Sequence, residues 1–356
     1  MRRGDTRLDG GLSGHGHDTS RSRGSGPDRR TLVWAAEAVL LGVLVALTLG
    51  LGRLGVGPGD VLDLVRGEAS RKVAYVLTEL RGPRVLVAIG AGAALGLAGA
   101  LFQVVTRNPL GSPDVLGISS GAGAGVAVAS VLAPVALGGP VGALLGAGVT
   151  LAALWFFTGN GFSSTGRIII AGIAVNALAI SVTQFVLTAT RRDQSAELAG
   201  YLVGSLGTRN LGHVALVWTA LVLALPVLAW LAHRFRVMEL GDTLSTVLGS
   251  PAVSTRTVSV FLAVGLAAFA VAACGPIAFV ALMSPHIARG LAGPVRRGAG
   301  TDLFGSALTG ALVLVSSDLL VTQVPALDGL PVGIVTAGVG GLYLGALLVH
   351  RWRQQN

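Results

Sequence analysis

The sequence predicts an all-α fold, that of a polytopic membrane protein with about ten transmembrane helices. Of its 356 residues, 52% are hydrophobic and 12% are charged, with a mean hydropathy of +0.73, whereas soluble domains are about one-quarter charged. The 53 glycines lie mostly inside the long apolar runs, as in membrane helices that pack closely through small residues. Both observations indicate a bundle of closely packed membrane helices.

The first 31 residues differ from the rest of the chain. They are rich in Gly, Ser, Asp, Arg and His and contain almost no apolar residues, so they cannot bury enough surface to offset the entropy of ordering. Residues 1–31 are therefore predicted to be a disordered cytoplasmic tail, and residues 32–356 a transmembrane domain. His15 and His17 could bind a metal, but two histidines in a flexible tail are more simply read as solvated.

Ten apolar segments follow this tail. The first runs from Leu32 to about Gly52, which is too long for the apolar region of a signal peptide, so it should remain as a membrane span. The other predicted spans lie at about 84–105, 115–133, 137–157, 167–190, 211–232, 255–274, 275–293, 303–322 and 332–350.

The distribution of charge predicts the orientation of these spans. An even number of spans returns both termini to one side, and seventeen of the 26 lysines and arginines then share the side of the N-terminal tail. Because cytoplasmic segments carry an excess of basic residues, both termini are expected in the cytoplasm. The remaining basic residues concentrate between residues 53 and 84, where acidic and apolar residues alternate. Residues 53–83 are expected to form an amphipathic surface helix, with a solvated loop as the alternative.

The net charge of +9 does not indicate nucleic-acid binding. The basic residues form no single stripe, and aromatic residues make up only 5% of the chain, whereas nucleic-acid surfaces combine the two. The flanks of membrane spans account for the charge, so contact with membrane lipid is expected and contact with nucleic acid is not.

The sequence also lacks the residues that enzymatic or metal chemistry would need. The only lysine, Lys72, stands between Arg71 and Val73, so no phosphate-binding P-loop exists and the chain should not hydrolyse ATP by itself. His286 belongs to no HExxH motif, and Cys274 is the only cysteine, which rules out a thiolate metal site or a disulfide within one chain. No catalytic residue, metal or cofactor is expected.

Asp318 is an acidic residue inside an apolar span. A buried carboxylate in a membrane is a functional candidate by default, for example as a proton relay. The alternative is that Asp318 lies near the outer end of its span and is wetted or hydrogen-bonded to a neighbouring helix.

The longest inside segment between spans runs from Ala232 to about Thr255 and contains LGDTLSTVLG. The glycines at 241 and 249 predict short helices that protrude from the membrane rather than a tight turn.

Three further segments stand in a fixed order around this one. They are RGPRVLVAIGAGAALGLAGALFQVVTRNPLGSPDVLGISSG at 81–121, GPIAFVALMSPHIARGL at 275–291 and LPVGIVTA at 330–337. With LGDTLSTVLG, they resemble the permease subunits of the iron-siderophore and cobalamin family of ABC importers, the FecCD or BtuC type. The resemblance implies a ten-span permease that pairs with a second permease, identical or related, around a central pathway. Two ATPase subunits would dock below it and an extracytoplasmic substrate-binding protein above it, in a bacterial cytoplasmic membrane.

The resemblance also assigns sites at both ends of the first segment. Arg81 and Arg84 match arginines that pair with acidic residues of the binding protein, and exposed guanidiniums would suit carboxylates; interfacial snorkelling is the alternative. Asn108 and Leu110 match the cytoplasmic gate. Thr165 and Gly166 match a companion gate, although the family pattern there is Thr-Ser.

Residues 233–254 match the family's cytoplasmic coupling helices. Leucines here would insert into a groove on the ATPase, so that nucleotide-driven closure moves the spans; the alternative is a solvated loop. Ser245 and Thr246 depart from the family's Ala-Arg, and Thr322 and Gly329 depart from its pattern at a third docking contact. The matched coupling positions are Leu240, Gly241, Asp242, Leu244, Leu248 and Gly249.

The resemblance favours a ferric-siderophore complex as cargo, because iron chelates are the commonest cargo of the family. Cobalamin or haem would be alternatives within the family. A proton-coupled secondary transporter that uses Asp318 is the alternative from another class.

Overall fold

The computed structural model describes residues 29–51, 57–132, 139–159, 162, 165–190, 200–238, 241–293 and 301–355. Within these ranges the chain is all-α, as predicted, with short 3-10 and π-helical segments and no strand. The first helix begins at Arg29, three residues before the predicted start. The rest of the predicted disordered tail lies outside the described residues.

Thirteen α-helices have both bounds among the described residues, where residues 200–202 are helical as well. Helix α3 continues through a π-helical segment, Val76–Arg81, directly into α4. The helices are α1 (Arg29–Gly50), α2 (Pro58–Arg66), α3 (Arg71–Tyr75), α4 (Gly82–Thr106), α5 (Ile118–Leu132), α6 (Gly139–Thr158), α7 (Thr165–Ala189), α8 (Leu211–Met238), α9 (Asp242–Val247), α10 (Ala252–Cys274), α11 (Val280–Ala292), α12 (Leu303–Gln323) and α13 (Val332–Gln355).

Each of the ten predicted spans coincides with a helix, but the count of ten spans is not confirmed. Eight helices among the described residues are long and apolar enough to cross a membrane, with Arg71–Thr106 counted as one. Helix α5 has 15 residues and α11 has 13, and 13 residues of α-helix span only about 20 Å. The predicted span at 275–293 is shortened because Gly275 and Phe279 have positive φ, at 77° and 67°, which helical backbone excludes.

The prediction of one amphipathic helix over 53–83 is wrong in its second half. Helix α2 is amphipathic and packs Val61 and Leu64 against α1 and α3. It ends at Gly67, which adopts the left-handed conformation with φ 77°, as is usual after a helix C-terminus. From Arg71 onward the chain already belongs to the long helix that crosses the bundle, so the predicted span at 84–105 begins too late.

Close contacts between glycines hold the bundle together, as the composition predicts. Helix α4 is the most buried of the candidate spans and crosses α12 where Gly92 faces Gly310; a Cβ on either glycine would overlap the carbonyl oxygen of the other. Helices α5 and α6 cross in the same way, with two glycines spaced four residues apart on each. Backbones this close gain dispersion energy that larger side chains would prevent. The four glycines of the α5–α6 crossing are Gly121, Gly125, Gly142 and Gly146.

The predicted coupling segment, 233–254, is shorter in the structure. Helix α8 extends to Met238 and α10 begins at Ala252, so both ends of the predicted segment belong to long helices. Between them lies the six-residue helix α9, in agreement with the prediction of short helices between the glycines.

Candidate docking, gate and coupling sites

The two predicted docking arginines lie at the junction of the π-helical segment and α4, but they are not free guanidiniums. Arg81 is only 9% exposed, and its Nη1 donates to the carbonyl oxygen of Leu49, 2.5 Å away at the end of α1. The last carbonyls of a helix have no partner within it and need other donors. The expectation of an exposed guanidinium is therefore wrong for Arg81, whose side chain caps the C-terminal end of α1.

Arg84 forms a bidentate ion pair with Asp318 of α12. Its Nε lies 2.9 Å from Oδ2 and its Nη2 lies 2.8 Å from Oδ1. The Asp318 side chain is 1% exposed and that of Arg84 is 23% exposed. Two parallel charge-assisted hydrogen bonds fix both groups. Of the two interpretations of Asp318, the structure supports hydrogen bonding to a neighbouring helix.

A second ion pair, which the sequence analysis missed, lies at the other end of α12. Arg30 of α1 contacts Asp302 at 2.9 Å, and the indole Nε1 of Trp34 donates to the same carboxylate at 3.2 Å. Asp302 also caps α12 by accepting from the backbone N–H of Gly305 at 2.9 Å. An aspartate just before an apolar run is an N-cap signal, so the cap could have been predicted, although its partner on α1 could not.

The predicted gate turn follows directly after α4. Arg107 adopts a left-handed conformation with φ 50°, and the backbone N–H of Asn108 then donates to the carbonyl of Gln103 at 3.3 Å. The exposed Asn108 accepts from the N–H of Leu110 through Oδ1 at 2.9 Å, an Asx-type turn. The asparagine therefore fixes the half-buried Leu110 beside it.

The companion gate stays a prediction. Helix α7 begins at Thr165, whose side chain lies outside the described residues. Gly166 is exposed, and a Cβ added there would meet no atom within 4 Å.

The three segments that carry the family resemblance converge on one cavity of about 650 Å³. The stretch after the gate turn, the start of α11 and the start of α13 each form part of its wall. Most of the lining is apolar; the exceptions are Asp114 and three serines. Two of these, Ser112 and Ser119, donate their hydroxyls to the Asp114 carboxylate. Burial raises the pKa of the Asp114 carboxyl, and these hydroxyls oppose that effect. The lining residues that represent the three segments are Ser112, Asp114, Ser119, Pro276, Phe279 and Gly333.

Helix α9 presents apolar side chains to solvent. Leu244 is 55% exposed, Val247 79% and Leu248, the residue after the helix, 60%, while Ser245 is buried. Gly241 and Gly249, with φ 102° and 76°, allow the sharp turns at the two ends of the helix. Leu240 and the side chain of Asp242 lie outside the described residues. Val247, the most exposed of the three, is not among the predicted coupling residues.

Metal ligands do not cluster in the described part of the chain, where no three His, Cys, Asp or Glu side chains are arranged to hold an ion.

Comparison with known proteins gives the same relatives throughout. The sequence model of the FecCD transport family matches residues 40–350. The ferric enterobactin transport system permease protein FepG of Escherichia coli strain K12 is 37% identical over 309 residues, which cover 85% of this chain and 91% of that protein. The Fe(3+)-citrate import system permease protein YfmE of Bacillus subtilis strain 168 is 36% identical, with coverage of 89% and 95%.

A solved structure shares the architecture. A metal-chelate type ABC transporter in an inward-facing conformation superposes with a TM-score of 0.78 and 25% sequence identity. The match covers 90% of this chain and 99% of that one.

Proposed function

The chain belongs to the FecCD transport family and is a multi-pass permease subunit of an ABC transporter, and from this premise we infer its cargo, partners and working sites. We propose that it carries a ferric-siderophore complex across the cytoplasmic membrane. The cargo proposal is supported by relatives whose names specify ferric enterobactin, ferric citrate and achromobactin.

The observation that supports this function best is the cavity where the three family segments meet. A binding cleft for tight capture would present several convergent polar groups, whereas this wall is largely apolar with one carboxylate already held by two serines. Such a surface suits a pathway that large chelates cross without being retained. The cavity is therefore proposed as one wall of the translocation pathway, completed by a second permease that is identical or related.

The exposed leucines of α9 support a cytoplasmic ATPase partner. Leu244 and Val247 on α9, and Leu248 directly after it, expose large apolar side chains. Such exposure is unfavourable in water and is typical of a surface that a partner covers. We assign ATP hydrolysis to two separate subunits that dock on this helix. If α5 and α11 also cross the membrane, six spans precede α9 and four follow it, and both termini lie in the cytoplasm with α9.

On the outer face, Arg84 is the better docking candidate of the two arginines. Its Nε and Nη2 face Asp318, which leaves the Nη1 edge of a partly exposed guanidinium for a carboxylate of the substrate-binding protein. Arg81, buried against α1, would support this position rather than contact the partner.

The proton-coupled alternative has little support in the geometry of Asp318. A proton relay must exchange its proton along the pathway, whereas Asp318 is 1% exposed and clamped by an arginine.

The cargo is tested with the assembled transporter in proteoliposomes, together with its ATPase and its substrate-binding protein. The binding protein is loaded in turn with ferric enterobactin, ferric citrate, cyanocobalamin and haem, and ATPase stimulation and uptake are measured. We expect stimulation and uptake with one or both ferric chelates. Stimulation by cobalamin or haem alone would refute the cargo assignment while leaving the permease assignment intact.

A further inference from the structure

The segment SPHIAR of α11 carries part of the family resemblance, yet docking, gating and coupling leave its polar side chains unused. One of them, Arg289, reaches α4: its Nη2 donates to Oε1 of Gln103, 2.5 Å away. Gln103 is 5% exposed and lies in the last turn of α4. The contact joins two residues that are 186 positions apart in the sequence.

Gln103 is held at both ends of its amide. While Oε1 accepts from Arg289, Nε2 donates to the carbonyl of Leu282 on α11 at 3.1 Å. The backbone carbonyl of the same glutamine accepts from the N–H of Asn108 at 3.3 Å. One residue therefore connects α11 through its side chain to the gate turn through its main chain.

The approach of the two helices is fixed one turn earlier. Pro285 has no N–H, so the carbonyl of Ala281, four residues before it, lacks its usual helical donor. Gly99 of α4 packs directly on this carbonyl, and a Cβ at Gly99 would overlap the oxygen. Gln103 lies one helical turn after Gly99 on α4, so this contact fixes the position along α11 at which Gln103 meets Arg289.

Helix α11 is also attached on its other side. His286 hydrogen-bonds to the phenol oxygen of Tyr343 on α13, the helix whose first turns line the cavity. Movement of α13 would therefore be transmitted to α11 and, through Arg289, to the end of α4.

We propose that Gln103 and Arg289 are positioning residues for the cytoplasmic gate, which hold the turn at Asn108 and Leu110 in place from α11. This inference rests on the proposed function in one respect, that the turn is the gate. A hydrogen bond from a charged donor to a buried acceptor is among the stronger hydrogen bonds in proteins. Its removal should therefore increase the mobility of the turn at Asn108 and Leu110 by a measurable amount.

The test measures the rate at which a maleimide labels Leu110→Cys in the assembled transporter. The only native cysteine, Cys274, is fully buried and is replaced by alanine. In the Leu110→Cys, Cys274→Ala protein, we expect the labelling rate to differ between the nucleotide-free and the ATP-bound states of the transporter. Adding Gln103→Ala or Arg289→Ala should raise the nucleotide-free labelling rate about tenfold, the equivalent of one such hydrogen bond.

Two further variants separate positioning from folding. Gln103→Glu keeps the acceptor for Arg289 and should label more slowly than Gln103→Ala. Gln323→Ala is the matched control: Gln323 also donates to a backbone carbonyl, that of Leu51 at 3.2 Å, but it lies at the outer end of α12. This variant should leave the labelling rate unchanged. If Arg289→Ala fails to fold, it is replaced by Arg289→Lys, which keeps the positive charge and loses the planar guanidinium. We then expect a smaller increase in the labelling rate.

The outcomes are distinct. Labelling that responds to nucleotide but not to loss of Gln103 or Arg289 overturns the positioning role and leaves the gate intact. Labelling that never responds to nucleotide overturns the gate assignment and this inference with it.

Discussion

At the scale of single residues, the polar groups of this chain are used to join helices. Arg84 with Asp318 and Arg30 with Asp302 tie the two ends of α12 to α4 and α1. The sequence shows that such charges exist inside or beside spans, and it indicates that they need partners because unpaired charges are costly in a membrane. It cannot identify the partner, since Arg84 and Asp318 are 234 positions apart and only the packing of α4 on α12 brings them together.

The Arg84–Asp318 pair should be needed for folding and not for proton transfer. Arg84→Leu or Asp318→Leu alone leaves one buried charge without a partner and should cost about 3–5 kcal/mol. The double variant, which removes both charges, should recover most of that loss. Thermal unfolding of the purified permease in detergent measures the stability of all three.

The same variants test the proton-coupled alternative. The binding protein is supplied at saturating concentration, so that loss of the Arg84 guanidinium does not limit docking. Under this condition the double variant should retain at least half of the ATP-driven uptake, and Arg71→Leu, an exposed arginine of the same face, serves as the control. Loss of uptake in a folded double variant that still binds the substrate-binding protein would show that Asp318 has a transport role.

This pair also limits how docking can be tested. Charge reversal at Arg84 would place a second carboxylate beside Asp318, and lost uptake would then reflect folding as readily as docking. Arg84→Lys keeps a charge beside Asp318 while removing the fork. We expect it to weaken the affinity of the binding protein about tenfold in a surface-binding assay, with Lys72→Arg, at an exposed position of α3, as the control.

At the scale of elements, hydropathy predicted the helices well and their ends less well. Long apolar runs report burial in a membrane regardless of neighbours, which is why every predicted span contains a helix. The exceptions depend on local backbone: Gly275 and Phe279 at positive φ shorten α11, and the π-helical segment joins α3 to α4. Neither feature changes the hydropathy of its segment, so neither could be predicted from it.

The α5–α6 crossing should fail when one of its glycines is enlarged. Gly146→Leu would drive its side chain into the backbone of Gly121 and Gly125 and should cost more than about 3 kcal/mol. At Gly148, two residues along the same helix, an added Cβ meets no atom within 4 Å, so Gly148→Leu should be tolerated. The yield of monodisperse protein after size-exclusion chromatography compares the two; equal yields would contradict the packing.

Helix α9 should couple the chain to its ATPase through its exposed leucines. Leu244→Asp with Leu248→Asp would bury charge in an apolar interface and should weaken ATPase binding by at least about thirtyfold. Thr243→Asp changes an exposed polar position of the same helix and should have little effect. Co-purification and stimulated ATP hydrolysis are the measurements. An unaffected leucine variant would remove α9 from the interface.

At the scale of the whole molecule, the family motifs that lie far apart in the sequence meet in space. The segments at 81–121, 275–291 and 330–337 meet around the cavity of about 650 Å³, and α11 connects that cavity to the gate turn. The order of motifs in the sequence was enough to suggest a permease. Their convergence on one wall depends on the packing of α4, α11 and α13, and hydropathy carries no information about which helices are neighbours.

The central claim is that transport through this chain is driven by ATP hydrolysed on a separate subunit. The measurement that tests it most directly is the initial rate of radiolabelled ferric-chelate uptake into proteoliposomes that hold the assembled transporter. Uptake is compared under two conditions: ATP supplied on the side of the membrane where the ATPase lies, and an imposed proton gradient without ATP. We expect uptake only with ATP and the binding protein, and none from the gradient. Uptake driven by the gradient in liposomes that contain this chain without an ATPase would contradict the claim.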